Sequence, residues 1–107
     1  MSVNTESQKS VVHNFLLPAF NEEASICDLI NIIKSVCTTN HLKYKILVVN
    51  DGSTDKTADL ANSMGPGIPV DVITNTPNRG LGFSVRRGLK AIAKNSDNQD
   101  LINYAQQ

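Results

Sequence analysis

The stretch KYKILVVNDGSTDKT, residues 43–57, runs four apolar residues, Ile46 to Val49, straight into Asn50, Asp51, Gly52 and Ser53 with no spacer. A continuous apolar run of this kind marks a parallel strand covered on both faces. The turn behind it sets a carboxylate and a glycine at the carboxyl end of that strand, the place where open α/β sheets bind ligands. The strand is read over residues 44–49. Ser53 or Thr54 is expected to cap the helix that follows, with Asp55 in its first turn.

Upstream, VVHNFLL (11–17) reads as a strand that Pro18 terminates. Between the two strands, Ile26, Leu29, Ile30, Ile33, Val36 and Cys37 fall on one helical face, with Glu22 and Glu23 at its positive end and Asn40 as its stop. Downstream, Leu60, Ala61 and Met64 give a short helix, GPGIP (65–69) a turn and VDVIT (70–74) a third strand. NTPNRG is a loop, after which Leu81, Val85, Leu89 and Ile92 recur on one helical face. The order βαβαβα calls for a parallel sheet with right-handed crossovers. The closing NSDNQDLINYAQQ is polar, and Leu101, Ile102 and Tyr104 could only begin a fourth strand.

The 107 residues suit one domain with a modest core, and ten basic side chains balance ten acidic ones. Without net charge, and with five scattered aromatics, no nucleic-acid partner is expected. Residues 1–10 form a polar leader without the apolar core of a signal peptide, and no run approaches the ~18 apolar residues of a membrane span. Cys27 and Cys37, ten positions apart on one helix, lie roughly 15 Å apart, too far for a disulfide. They read as buried thiols of a cytoplasmic protein.

Three strand-tip loops converge in such a sheet: PAFNEE, NDGSTD and NTPNRGLG. Asp51 can accept hydrogen bonds from ribose hydroxyls or a base N–H, Gly52 permits a tight turn, and Arg79 with Gly80 and Gly82 suits phosphate. Each has a plainer reading. DGS after a strand is usually a turn and cap, an acidic pair opening a helix compensates its dipole, and Arg86 and Arg87 belong to a solvated helix face. His13 is a satisfied strand histidine and His41 a loop residue, with no carboxylate or serine at motif spacing. GLGFSV (80–85) begins like G-x-G-x-x-G, but its sixth position is Val85 and it follows the third strand, so a nicotinamide or flavin site is a poor fit. The P-loop's GKS or GKT is absent.

LPAFNEE, then VVNDGSTDKT, then NRGLGFSVRRGL resembles, over residues 11–93, the N-terminal half of inverting family-2 glycosyltransferases. The polyprenyl-phosphate (dolichyl-phosphate) mannosyl- and glucosyltransferase branch is the most similar. The resemblance implies a GT-A fold: α/β, Rossmann-like, a three-layer αβα sandwich with a mainly parallel sheet in the order 3-2-1-4, here truncated after three βα units. Residues 11–107 would be the incomplete nucleotide-sugar-binding half. The implied activity is transfer of a hexose from a GDP- or UDP-sugar, with a polyprenyl phosphate as acceptor, on a cytoplasmic face that the complete enzyme shares with a membrane. The alternative is a non-catalytic nucleotide-binding or interaction module keeping the half-fold.

By the same resemblance Asp51 meets the nucleoside and Pro18, Ala19, Phe20 and Glu22 line its pocket, while Gly52, Arg79 and Gly80 complete the donor site. Asn50 stands where the family has the first acid of D-D-G-S. The family's D-x-D, whose carboxylates hold Mg²⁺ or Mn²⁺ against the diphosphate, has no counterpart here, and Asp97 and Asp100 are not assigned to metal. No catalytic residue and no retained metal are therefore expected, and the chain alone should be inactive. A fourth strand reduced to a stub would leave the first strand's edge open, and a homodimer through that edge is expected.

Overall fold

The computed structural model describes residues 11–95. The expected fourth-strand start at Leu101 to Tyr104, the polar leader and the two late aspartates lie outside the described residues. Three strands and three helices alternate: β1 Val12–Ala19, α1 Ile26–Thr39, β2 Lys43–Asn50, α2 Thr57–Ser63, β3 Val70–Thr74 and α3 Leu81–Lys94. The sheet is parallel throughout, in the order β1-β2-β3. Phe15 lies opposite Ile46 and Leu17 opposite Val48, and Ile46 in turn lies opposite Val70, so one face of the sheet is apolar across all three strands.

That face carries the core. Ile26, Ile30, Ile33 and Cys37 of α1 and Ala61 of α2 pack with Ala19, Ile46, Val48 and Val70. The period-2 alternation of the strands sends Leu16 to the opposite face, where α3 lies so close that a Cβ built on Gly88 would be 2.2 Å from Leu16 Cδ1. Helices on both sides make the three-layer α/β, Rossmann-like arrangement.

Several local expectations are corrected. Pro18 does not end β1, which continues to Ala19. The Ala19 carbonyl accepts the Asp51 N–H at 2.8 Å, so Ala19 faces β2 and Pro18 faces the opposite edge, where its missing N–H breaks no bond to β2. Glu22 and Glu23 precede α1, whose first-turn acid is Asp28. Leu29 and Val36, expected in the core, are 42% and 51% exposed. Leu81, expected on the buried face of α3, is 69% exposed, and Ser84, Gly88 and Ala93 are buried instead. Cys27 and Cys37 are both free, but only Cys37 is buried. Asn40 does stop α1, its Nδ2 donating to the Val36 carbonyl at 2.7 Å.

Candidate functional site

The carboxyl ends of the three strands bring the three loops together, with the β2 loop in the middle. Asn50 shapes its start: its Oδ1 accepts the Ser53 N–H at 3.3 Å and its Nδ2 donates to Thr74 Oγ1 at 3.3 Å. Gly52 then takes a left-handed φ of 69°. Neither Ser53 nor Thr54 caps α2. The N-cap is Lys56, without a side-chain cap bond, and the Asp55 carboxylate just ahead of it accepts from the Thr57 N–H at 2.9 Å and from the Thr57 hydroxyl. Burial pushes the Asp55 carboxyl up, but the Thr57 hydroxyl, the Thr57 N–H and the Glu23 N–H outweigh it and hold the group below its ordinary value.

Asp51 is 6% exposed and lies at the junction with the third loop. Its Oδ1 accepts the Arg79 N–H at 2.7 Å and the Asn75 amide at 2.9 Å, and its Oδ2 accepts the Gly80 N–H at 2.8 Å. The Arg79 N–H most strongly, then the Asn75 amide, holds this carboxyl below its ordinary value; burial opposes them, and the Gly80 N–H and Ser84 hydroxyl assist.

Of the other expected residues, Ala19 is buried at the end of β1, Pro18 is half-buried, and Phe20 and Glu22 are exposed just beyond. Glu22 Oε2 accepts from Ser25 Oγ at 3.2 Å. Gly80, at φ 94°, is the residue before α3. The Arg79 guanidinium lies over the Phe83 ring, 4.8 Å from its centroid. A shallow cleft of about 350 Å³ between Arg79, Phe83, Arg87 and Thr74 to Thr76 opens beside it. Pro18 to Glu22, Asp51, Gly52 and Arg79 to Gly80 are thus on one end of the sheet.

Three residues escaped the sequence reading. Asn75 is 2% exposed and donates to both Asp51 Oδ1 and Ser84 Oγ, each at 2.9 Å. Asn78 Nδ2 donates to the Asp51 carbonyl at 3.0 Å. Arg87, read as a solvated residue, donates from Nη1 to the Thr74 carbonyl and to Asn75 Oδ1, both at 2.7 Å. The spacing of Ser84 and Gly88, small residues one turn apart, is the signal that could have revealed the face of α3 that comes close.

Among the described residues no three His, Cys, Asp or Glu side chains gather where they could hold a metal ion. Glu22, Glu23, Asp51 and Asp55 each accept a hydrogen bond within the loops. Neither do the described residues form a helix long and apolar enough to cross a membrane.

The profile of Glycosyl transferase family 2 matches residues 15–95, well over half of the chain. A dolichol-phosphate mannosyltransferase of Pyrococcus furiosus is 35% identical over 75 residues, covering 70% of this chain and 21% of the relative. An undecaprenyl-phosphate 4-deoxy-4-formamido-L-arabinose transferase of Pseudomonas paraeruginosa is 28% identical over 93 residues, 79% of this chain and 27% of the relative. A poly-beta-1,6-N-acetyl-D-glucosamine synthase of Staphylococcus epidermidis is 27% identical over 88 residues, 82% of this chain and 21% of the relative. The chain spans between 21% and 27% of the length of these relatives.

Proposed function

The chain belongs to glycosyl transferase family 2, and from that premise we propose that it is the donor-binding part of an inverting hexosyltransferase. The donor is a GDP- or UDP-sugar and the acceptor a polyprenyl phosphate. The names of the P. furiosus and P. paraeruginosa relatives, which specify dolichol phosphate and undecaprenyl phosphate, support the acceptor class.

The observation that carries the donor reading is the junction at Asp51. One buried carboxylate ties the β2 loop to Arg79 and Gly80, and the Asp51 N–H ties the same loop to Ala19. The nucleoside would lie over Pro18, Ala19 and Phe20, with Glu22 at the rim and Asp51 at the junction beneath it. Gly52 lets the backbone turn beneath it, and Arg79 and Gly80 would meet the diphosphate with a cation and an N–H-rich helix start.

The Mg²⁺ or Mn²⁺ implied by the family does not fit the described residues, because their strand-tip acids are engaged with donors of the loops themselves. The metal-binding acids of the complete enzyme would come from outside residues 11–95. The 107-residue chain is accordingly proposed to bind its donor without transferring the sugar, and to pair with a second copy through its sheet edge.

Calorimetry with GDP and with UDP tests this. One of the two should bind weakly, with the same affinity in EDTA and in Mn²⁺, and Arg79→Ala should weaken that binding by roughly tenfold, the loss of a charge-assisted contact. Binding that rises steeply with Mn²⁺, or that ignores Arg79→Ala, would overturn the assignment. Incubation with labelled sugar nucleotide, divalent metal and a lipid phosphate should show no turnover above background.

A further inference from the structure

The β1 and β2 loops are joined by reciprocal hydrogen bonds that the donor reading does not use. Asn21 N–H donates to Ser53 Oγ at 2.9 Å, and Asn21 Oδ1 accepts from the Thr54 N–H at 2.9 Å and from the Thr54 hydroxyl at 3.4 Å. The Glu22 N–H donates to Thr57 Oγ1 at 2.8 Å and the Glu23 N–H to Asp55 Oδ2 at 3.2 Å. In return, Glu23 Oε2 accepts the Lys56 N–H at 3.1 Å. Three consecutive residues of one loop therefore grip five consecutive residues of the other.

Asn21 is the member whose chemistry is most constrained. Its φ is 52°, a left-handed conformation that glycine adopts freely and asparagine tolerates better than most residues. If the position served only to turn the chain into α1, glycine would serve it better. What asparagine adds is an amide oxygen at the reach of Thr54. Serine lacks the length, and alanine lacks the acceptor.

We infer that Asn21 is a positioning residue whose amide latches the β1 loop onto the β2 loop and so fixes Phe20 and Glu22 relative to Asp51. The inference rests on the donor reading for its consequence and on the loop geometry for its substance. Loops held in their bound arrangement before the ligand arrives bind it without a further ordering cost. Asn21 engages Ser53 and Thr54, and the Glu22 and Glu23 N–H groups that follow it engage Thr57 and Asp55, so four polar positions of one motif meet one neighbouring loop.

Two substitutions separate a latch from a simple turn. N21G keeps the left-handed backbone and removes the amide, so the fold is retained. N21D keeps the acceptor oxygen, and is judged on exchange alone because its added charge acts on an anionic nucleotide. Amide hydrogen exchange of Thr54 and Glu22 is measured in all three proteins, and GDP and UDP affinity in the wild type and N21G. Thr54 and Glu22 should exchange roughly tenfold faster in N21G and near the wild-type rate in N21D, and N21G should bind the preferred nucleotide about five- to tenfold more weakly, the effect of losing one or two net hydrogen bonds. Unchanged exchange in N21G, or loss of protection with wild-type affinity, overturns the inference. If the wild type binds neither nucleotide, the donor reading falls by itself, and faster exchange confined to N21G still upholds the latch while equal exchange removes it.

Discussion

Gly52 meets two independent demands at one residue. Its left-handed φ disfavours any side chain, and a Cβ there would lie 2.6 Å from the Asn78 backbone nitrogen and 2.9 Å from its Cα. Those atoms cannot give way easily, because Asn78 Nδ2 holds the Asp51 carbonyl and the next residue's N–H holds the Asp51 carboxylate. Gly52→Ala should therefore destabilise the chain by about 2 kcal/mol or more, read from urea unfolding, since the backbone penalty alone is of order 1–2 kcal/mol. Asp51 makes a different demand, on pH. With its folded pKa held below the ordinary 3.8, chiefly by the Arg79 N–H, its contribution is fully present above that unfolded value and is lost as pH falls through the folded one. The urea midpoint should thus fall steeply below pH 4, while the Arg79 and Gly80 amide shifts titrate in the same window. Asp51→Asn should lower stability at pH 7, where it sets an NH₂ group against those N–H donors, and should flatten the acid limb. A variant whose acid limb matches the wild type would assign the effect to other carboxylates, Asp55 foremost.

At the scale of elements, α3 shows what the sequence could and could not convey. All three strands and all three helices were legible in order, because β2's apolar run and α1's 3.6-residue period are large signals set by burial. The packing of α3 was legible only in part: Val85, Leu89 and Ile92 are half-buried, but the closest approach is made elsewhere. Its bulky residues Leu81 and Phe83 point outward, and it meets β1 through Gly88, where the missing side chain admits Leu16. Pattern reading follows large apolar residues and is blind to a face defined by small ones. The site divides in the same way. Asp51, Gly52 and Gly80 stood out through the resemblance of their loops to the family's motifs, whereas Asn75 looked like an ordinary loop residue until its bonds to Asp51, 24 positions away, and to Ser84 closed the network. Gly88→Ala tests the close approach. Alanine gains up to about 1 kcal/mol of helix propensity over glycine, while overpacking costs roughly 1–3 kcal/mol. Cδ1, Cδ2 and Cγ of Leu16 all lie within 3.2 Å of the new Cβ, so a simple rotation of the side chain does not clear it. A net loss of about 1 kcal/mol is expected in urea unfolding, reduced when Leu16→Val is added. A stabilised Gly88→Ala protein would mean that α3 sits further from the sheet.

For the whole molecule the open question is the edge of β1. Among the described residues β1 pairs with β2 alone, so its outward-facing groups have no partner strand. The bond from Asp51 N–H to the Ala19 carbonyl fixes the parity: residues 13, 15, 17 and 19 face β2, and residues 12, 14, 16 and 18 face out. At the end near the strand-tip loops Pro18 offers no N–H, which blunts the edge there. Towards the start, Val12, Asn14 and Leu16 present N–H and C=O groups flanked by apolar side chains, Val12 itself being 40% exposed. An unpaired edge of this kind is a template for a second strand. Two copies related by a two-fold axis would set their β1 strands antiparallel, joining the two sheets into one six-stranded sheet and leaving both Asp51 junctions at far ends of the assembly. Nucleotide binding should therefore be indifferent to dimerisation, which separates this expectation from the donor assignment. Light scattering at micromolar concentration should show a concentration-dependent dimer, and Val12→Lys, which places charge on the edge, should shift it to monomer without altering nucleotide affinity. Hydrogen exchange supplies the opposing outcome at single-residue resolution. A monomer in which the amides of residues 12, 14 and 16 exchange fast, while those of 13, 15 and 17 stay protected by β2, would show that the edge is open to water and pairs with nothing.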